Sequence, residues 1–360
     1  MERRMMKSNM TTLCYIEKDG KYLMLHRVSK KKDVNKDKWI GIGGHFEEGE
    51  SPEECLLREV MEETGLTLTA YRFRGIVTFC SEKYPVEYMC LYTADGFEGK
   101  LKDCDEGILE WVDKEKVSDL NLWDGDVLFF DLLKRDLPFF SLKLCYDKED
   151  IWKRAILDGK ELELFDICDD KGNVTGHVME RGMVHRLGKL HRTVHIWVIR
   201  RNEEGGVEVL LQKRSREKDA YPGCYDISSA GHIHTGDDYL ESALRELEEE
   251  LGIVAMPEDL RLIGFHEGKI EDFFWGEAFK DHEISAIYLY EKPINPEELA
   301  LQKEEVEEAV FMEYQAIRDG IQKGTLLNCI YPKEFDMIED AIKNDFAASN
   351  MWIKEKLVKT

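Results

Sequence analysis

Long apolar runs are missing from this sequence, and none approaches the roughly 20 residues that a membrane-spanning helix needs. The charged start, Met1–Lys7, has no apolar segment behind it, so we expect no secretory signal. The nine cysteines are an odd number and form no CxxC pairs. This pattern argues against a disulfide framework or cysteine-bound zinc and favours a reducing, cytoplasmic location.

Positive charge is also in short supply. The 50 Lys and Arg residues stand against 74 Asp and Glu residues, which gives a formal net charge of −24. Such a chain repels nucleic-acid polymers and anionic membranes, so we expect small-molecule partners instead. The one dense basic stretch, Lys30–Lys32, is interpreted as a solvated loop, with a phosphate-facing loop beside an active site as the alternative. The oligomeric state stays open.

What the sequence does contain is a long internal repeat. Gly44–Glu50, which leads into Arg58–Leu66, recurs as Gly231–Asp237, which leads into Arg245–Ile253. Corresponding residues are always 187 positions apart, as Gly44 and Gly231 are. A repeat of this length without gaps indicates that a whole domain has been duplicated.

Both copies have the same predicted surroundings. Alternating apolar residues at 12–25 and 195–211 indicate two strands joined by a hairpin turn before each repeat. Further β-rich segments and a helical segment follow each copy. This order predicts the α/β class, with a mixed sheet between helices in each domain. We place the domains at residues 1–148 and 162–360, with a linker at 149–161.

The acidic part of the first repeat has strong helix signals. Ser51 is a typical N-cap residue, Pro52 suits the first helical position, and Glu54 completes a capping box with Ser51. Gly65 is a natural end point. We therefore predict a helix from Pro52 to Thr64.

This helix would present glutamates at spacings of three and four residues, hence on one face. Most acidic faces are simply solvated, but Mg²⁺ favours carboxylate oxygen and could turn this face into a binding site. A bound cation bridges substrate phosphates and polarises the attacking water. An arginine would hold the carboxylates in register, and the Gly43–Gly44 turn would let backbone approach metal or phosphate. The candidate catalytic residues are Arg58, Glu59, Glu62, Glu63, Arg245, Glu246, Glu249 and Glu250, with the six glutamates as ligands of Mg²⁺ or Mn²⁺.

The full pattern, G-x5-E-x7-R-E-U-x-E-E-x-G-U with U a bulky aliphatic residue, resembles the Nudix box. The first copy matches at every position, and the second has Asp237 in place of a glutamate. The resemblance implies two Nudix α/β/α sandwich domains in tandem. It also implies Mg²⁺-dependent hydrolysis of nucleoside diphosphates linked to another moiety.

The first half is similar to the oxidised-purine nucleotide diphosphatases through Asp105-Glu106, Trp111-Val112 and Trp123–Asp126. This resemblance implies that Glu106 assists metal binding or water activation, that Trp123 stacks on the base and that Asp126 bonds the purine edge. Gly125 stands where some members have a second Asp. The implied reaction converts 8-oxo-dGTP to the monophosphate and pyrophosphate. Without the resemblance, Trp123 would be interpreted as core packing.

The second half is similar to the branch that includes type I isopentenyl diphosphate isomerase, through residues 185–192, 210–215 and 231–232. The isomerase has a cage of histidines and acids for a metal. The positions that correspond here are His191, His232, Asp281 and Glu283, with His185 as a further candidate. Hydrogen-bonded structural histidines are the alternative interpretation.

Two observations favour hydrolysis over isomerisation in the second half. Ala230 stands where the isomerase has a cysteine, and an alanine cannot move a proton to or from an alkene carbon. The second box is also almost complete, whereas the isomerase lacks a full one. Isomerisation and a non-catalytic nucleotide sensor remain as alternatives, and the intact glutamates of both boxes argue against the sensor.

Overall fold

The computed structural model describes residues 9–29, 33–218, 220–274 and 276–343. The chain divides into two compact units. The first comprises Met1–Leu164 and Gly176–Arg181, and the second comprises Phe165–Thr175 and Gly182–Thr360. The basic stretch Lys30–Lys32 lies outside the described residues. None of the helices in the described ranges is long and apolar enough to cross a bilayer.

The first unit is built on one mixed sheet with the strand order β3-β2-β1-β5-β4-β7-β8-β9, and β6 pairs with β2. Strands β1 and β5 are parallel, as are β4 and β7, and the other pairs are antiparallel. The elements are β1 (Asn9–Lys18), β2 (Lys21–His26), β3 (Trp39–Ile40), α1 (Pro52–Thr64), β4 (Leu66–Ser81), β5 (Glu87–Gly99), β6 (Ile108–Asp113), α2 (Asp124–Lys134), β7 (Phe140–Tyr146), β8 (Trp152–Leu157) and β9 (Lys160–Leu162).

Helix α1 begins and ends where the sequence predicts. The Ser51 side chain accepts a hydrogen bond from the Glu54 N–H at 3.2 Å, and the Glu54 carboxylate accepts one from the Ser51 N–H at 2.8 Å. Gly65 ends the helix with a left-handed φ of 75°. Leu56 and Val60 are fully buried in a core with Leu23 and Leu25 of β2. This packing fixes which face of α1 is left for the glutamates.

Residues 149–161, which the sequence suggests as a linker, contribute β8 and most of β9 to the first sheet. Trp152 and Ala155 are buried there, and β8 pairs with β7. The polar composition of this segment hides the strand, because its two buried side chains stand among charged neighbours.

The second unit contains another mixed sheet with the order β14-β13-β12-β17-β16, in which β15 pairs with β12 and β18 with β13. Strands β12 and β17 are parallel. The elements after β9 are β10 (Leu164–Cys168), β11 (Val174–Glu180), α3 (Arg181–Leu187), β12 (His191–Arg201), β13 (Val207–Arg214), β14 (Tyr225–Asp226), β15 (Ser229–His232), α4 (Tyr239–Leu251), β16 (Leu260–Phe274), β17 (Glu277–Tyr290), β18 (Val306–Glu313), α5 (Tyr314–Gln322) and α6 (332–343). Strands β10 and β11 form a separate two-stranded sheet, and residues 176–180 of β11 belong to the first unit.

The side-chain alternation of β12 separates two cores in this unit. Val194, Ile196 and Val198 pack in one core with Leu247 of α4. Trp197 and Ile199 belong to a second core that includes Phe335 of α6. On the same face of β12, the residues before Trp197 are polar: His191, Thr193 and His195.

Candidate active sites

Helix α1 brings two of its three box glutamates against the glycine turn. The Gly43 N–H donates a hydrogen bond to Glu63 Oε2 at 3.0 Å. A Cβ atom on Gly44 would lie 2.5 Å from the carboxylate of Glu59, and one on Gly43 would lie 2.0 Å from the Thr12 carbonyl oxygen. Glycine is therefore required at both positions for the turn to approach the carboxylates and β1 so closely.

Arg58 holds this arrangement together, as the sequence suggests. Its Nε and Nη2 atoms donate to the two carboxylate oxygens of Glu50 at 2.6 and 2.9 Å. Its Nη1 atom donates to Glu59 at 2.8 Å and reaches Glu62 at 3.4 Å, and Nη2 also donates to the His45 carbonyl at 3.0 Å. These contacts raise the pKa of Arg58 and keep it cationic.

The third glutamate differs from the other two. The Glu62 side chain is 61% exposed, whereas that of Glu59 is 15% exposed. Of the three box glutamates of α1, Glu59 and Glu63 line the cleft described below, and Glu62 does not. Within the described ranges, the box glutamates of neither unit belong to a group of three ligand atoms within 4.8 Å of one another. The structure thus places Glu59 and Glu63 in the cleft and leaves Glu62 exposed, and the role of all three as ion ligands stays a prediction.

Arg27, at the start of the loop after β2, is a site residue that the sequence analysis missed. Its Nε donates to Asp33 at 2.8 Å, and its Nη1 is paired with Glu106. Burial raises the pKa of Glu63 to about 8, and the negative charges of Glu106 and Glu59 act in the same direction. The positive charge of Arg27 opposes this rise in the pKa of Glu63.

These carboxylates line a cleft of about 320 Å³ that is also lined by Trp123. The Trp123 Nε1 donates to Asn35 Oδ1 at 2.9 Å, and the Lys38 ammonium lies 4.7 Å from the Trp123 ring centre. Phe79 packs edge-on against the same ring at 5.3 Å. Burial raises the pKa of Asp126 to about 7. The cleft thus joins acidic residues for a cation to a flat aromatic side chain with hydrogen-bonding neighbours. Its lining residues include Gly43, Gly44, Glu59, Glu63, Glu106, Trp123 and Asp126.

Gly125, where some oxidised-purine diphosphatases have an Asp, has a packing reason in this chain. A Cβ atom there would lie 2.7 Å from the Tyr146 hydroxyl and 2.8 Å from Leu144. The Tyr146 hydroxyl accepts a hydrogen bond from the Gly125 N–H at 2.9 Å. Strand β7 therefore fills the space that a side chain at position 125 would need. Of positions 125 and 126, only position 126 carries an acid.

Helix α4 repeats the α1 arrangement in the second unit. Glu250 accepts hydrogen bonds from the Ala230 N–H at 3.1 Å and from Gln212 at 3.4 Å. Arg245 Nη1 contacts Glu246 at 2.8 Å and Glu249 at 2.9 Å. Burial raises the pKa of Glu246 to about 8 and also raises that of Glu250. As in the first unit, the middle glutamate is the exposed one, since 52% of the Glu249 side chain is accessible.

The second unit also gathers the predicted histidines and acids. Ligand atoms of His185, His191 and His232 lie within 4.8 Å of one another, and so do those of His191, Asp281 and Glu283. We call these five residues the cage. Strand pairing explains why His191 and Glu283 are close, because His191 of β12 is in register with Glu283 of β17. His185 reaches the cage from helix α3.

His191 has the chemistry of a metal ligand. It is fully buried, and its Nδ1 lies 3.0 Å from the Lys189 carbonyl, which only accepts, so Nδ1 carries the proton. Burial lowers its pKa, which favours the neutral ring with a lone pair on Nε2. Nε2 faces Asp281 at 3.8 Å and has no hydrogen-bond partner among the described residues. A buried nitrogen in this state, with imidazole and carboxylate groups around it, fits a transition-metal ion.

The NUDIX domain matches residues 7–133 and 189–327, which together make up more than half of the chain. The chain belongs to the Nudix family. Each unit contains one Nudix domain, so the α/β class, the tandem arrangement and the hydrolase family expected from the sequence are confirmed. Nudix hydrolases act on small nucleotide substrates and generally use divalent ions, typically Mg²⁺.

Three Nudix relatives illustrate the likeness. Nudix hydrolase 3 of Arabidopsis thaliana is 37% identical over 205 residues, which are 54% of this chain and 26% of that protein. An uncharacterized Nudix hydrolase of Clostridium acetobutylicum is 40% identical over 146 residues, 41% of this chain and 68% of that protein. The oxidized purine nucleoside triphosphate hydrolase of Danio rerio is 31% identical over 144 residues, 39% of this chain and 90% of that protein. The chain thus spans about a quarter of the Arabidopsis relative.

Proposed function

We propose that the first unit is a Mg²⁺-dependent nucleoside triphosphate diphosphatase that converts 8-oxo-dGTP to the monophosphate and pyrophosphate, and so removes oxidised nucleotides from the cytoplasmic pool. The observation that carries this proposal is that one cleft is lined both by Glu59, Glu63 and Glu106 and by Trp123 and Asp126. The three glutamates suit a cation and phosphates, and the aromatic ring with its neighbouring acid suits a purine. The Danio rerio relative supports the same substrate class.

The side chains of this cleft have distinct tasks in the proposed reaction. Glu59, Glu63 and Glu106 would hold Mg²⁺, which when bound supplies charge neutralisation and a polarised water. Arg58 keeps Glu59 in place through its contacts with Glu50 and the His45 carbonyl. The exposed Glu62 is available to a second ion or to the water network. Trp123 stacks on the base, and Asp126 bonds its edge.

For the second unit we propose hydrolysis of a different diphosphate, with Glu246, Glu249 and Glu250 as the Mg²⁺ site and the cage as a separate transition-metal site. His191, His232 and Glu283 are its central ligands, and His185 and Asp281 complete it. This proposal draws on the resemblance to the isomerase branch and on the close approach of the ligand atoms. Isopentenyl diphosphate isomerisation is the alternative, and Ala230 argues against it because it offers no acid or base.

The first assignment is tested with the full-length chain and 8-oxo-dGTP in the presence of Mg²⁺. Glu63→Gln keeps the shape of the side chain but removes the charge, and we expect a loss of pyrophosphate release of at least about 10²-fold, as for removal of a group that stabilises the transition state. Glu48→Gln, at an exposed position of the loop before α1, is the control and should stay near wild type. Normal turnover of 8-oxo-dGTP by Glu63→Gln, or none by the wild type, contradicts the assignment.

The second assignment needs a panel of diphosphates and isopentenyl diphosphate itself, offered to the Glu63→Gln chain so that the first site is silent. We expect Mg²⁺-dependent release of a phosphate product from one member of the panel, and no double-bond migration in isopentenyl diphosphate. Isomerised product without hydrolysis would instead establish the isomerase alternative.

A further inference from the structure

One fully buried carboxylate in the second unit belongs to neither the box nor the cage. Glu334 of helix α6 is 0% exposed. Its Oε1 lies 2.8 Å from His195 Nδ1 and 3.3 Å from His266 Nδ1, and its Oε2 accepts a hydrogen bond from Trp197 Nε1 at 3.0 Å. Burying a charge is costly unless it is paired and hydrogen-bonded, and these contacts supply both conditions. Because burial of this carboxylate is costly, Glu334 is a candidate for a functional role.

His195, which bonds Glu334, also contacts a residue of the cage. His195 is buried, and its second ring nitrogen, Nε2, lies 3.6 Å from Glu283 Oε1. Glu283 is itself buried and is one of the cage acids. The imidazole of His195 therefore stands between two carboxylates, one anchored in α6 and one that faces His191.

Strand geometry explains why the imidazole points this way. His191, Thr193 and His195 alternate along β12 and so lie on one face of the sheet. Thr193 bonds Ser285 of β17 at 2.8 Å, which keeps the two parallel strands in register between His195 and the cage. His195 itself is absent from the groups of ligand atoms found within 4.8 Å among the described residues. His195 therefore contacts the cage acid Glu283 but is not itself part of the cage.

We infer that His195 is a positioning residue for the cage: Glu334 fixes its ring through Nδ1, and its Nε2 fixes the orientation in which Glu283 presents its carboxylate to a bound ion. The inference rests on the proposed role of the cage as a metal site. Metal-ligating carboxylates and histidines generally depend on such outer contacts, and the loss of one costs about 10- to 100-fold in metal affinity. The pair His195–Glu334 would supply this contact from a helix 139 residues away in sequence.

The test measures Co²⁺ binding to the full-length chain by visible absorption, in a Glu63→Gln and Glu250→Gln background that weakens both box sites. His191→Ala defines the share of the signal that depends on the cage. We expect His195→Gln to lower the Co²⁺ affinity of the cage by about 10- to 100-fold, because Gln cannot bridge both carboxylates. Glu334→Gln leaves the imidazole in place but loosens its anchor, so it should weaken Co²⁺ binding by a smaller factor.

His266→Gln is the matched control. His266 is buried and contacts the same Glu334 oxygen. Among the described residues it makes no ion pair with Glu283, so this variant perturbs the core without touching the cage acid. It should bind Co²⁺ within about twofold of wild type. The inference is overturned if His195→Gln binds Co²⁺ like wild type, or if His266→Gln loses as much affinity. If His191→Ala leaves binding unchanged, the cage proposal itself is refuted and the inference falls with it.

Discussion

In the glutamate helices of the two units, α1 and α4, the arginines share their contacts with the box glutamates and with one backbone carbonyl. Nη1 of each arginine bridges two box glutamates, and Nη2 donates to a carbonyl 13 residues upstream, that of His45 for Arg58 and that of His232 for Arg245. The side-chain contacts with the preceding loop differ. In α1, Nε and Nη2 bond Glu50 at 2.6 and 2.9 Å, whereas the buried Nε of Arg245 has no hydrogen-bond partner among the described residues.

A single shortened side chain accounts for this difference. Asp237 occupies the position that Glu50 has in the first unit and is one methylene shorter. The comparison teaches that the contacts nearest the glutamates are kept in both units, while the outer support of the arginine is not. It also shows that the surroundings diverge most: a cleft with Trp123 in one unit, and the cage in the other.

We expect the largest effect from substitution of Gly44, the glycine in the turn before α1. In Gly44→Ala the new Cβ would lie 2.5 Å from the Glu59 carboxylate, which is the far end of a flexible side chain. The carboxylate would therefore move, at modest cost in stability, and we expect a loss of 8-oxo-dGTP hydrolysis of about 10²-fold. Steady-state kinetics and thermal unfolding of the full-length chain measure both effects.

Gly43→Ala separates displacement of a ligand from damage to the fold. Its Cβ would lie 2.0 Å from a backbone oxygen of Thr12, and its φ of +155° is unfavourable for alanine. This variant should lose both stability and activity. Full activity in Gly44→Ala would show that the position of Glu59 is unimportant, and the proposed ligand set would then be wrong.

Much of this shared arrangement could be predicted from the sequence because its signals are local. The capping residues Ser51 and Gly65 specify the ends of α1 through hydrogen bonds within a few residues. The spacing of Glu59 and Glu63 by four residues specifies that they share a face. The 187-residue offset then transfers each expectation to α4.

The remaining site residues depend on contacts that no local pattern carries. Arg27 meets Glu106 across 79 residues, and His195 meets Glu334 across 139. The alternation of polar residues along β12 was the one signal that could have placed His195 on the cage side. The exposure of Glu62 was also hidden, because periodicity gives the direction of a side chain but not which neighbours cover it.

Asp126, the buried acid that lines the cleft of the first unit, offers a milder test through pH. The folded pKa of Asp126 is raised from 3.8 to about 7, so between these values the folded protein holds a proton that the unfolded chain has released. The free energy of unfolding should therefore fall as pH rises through this window. In Asp126→Asn that contribution is absent, and we expect a smaller loss of stability between about pH 5 and pH 8.

Urea unfolding of the full-length chain at both pH values measures this difference. Glu63, Glu246 and Glu283 also have raised pKa values, so only the difference between wild type and variant isolates Asp126. Asp119→Asn, which alters an exposed carboxylate in the same unit, should follow the wild type. Identical pH slopes for Asp126→Asn and wild type would mean that Asp126 is already ionised in the folded protein.

The smallest expected effects come from exchanging the side chains that distinguish α1 from α4. Glu50→Asp should withdraw the carboxylate from Arg58 Nε, and Asp237→Glu should bring one within reach of Arg245 Nε, where a buried donor is otherwise unsatisfied. The two substitutions should therefore move local stability in opposite directions. Amide hydrogen exchange of α1 and α4 measures them separately: faster exchange of α1 in Glu50→Asp, by a few-fold, and slower exchange of α4 in Asp237→Glu. Glu48→Asp shortens an exposed neighbour and should change neither. If both substitutions speed up exchange, then Asp237 has a role of its own in the second unit, and the missing contact at Arg245 is a consequence of that role.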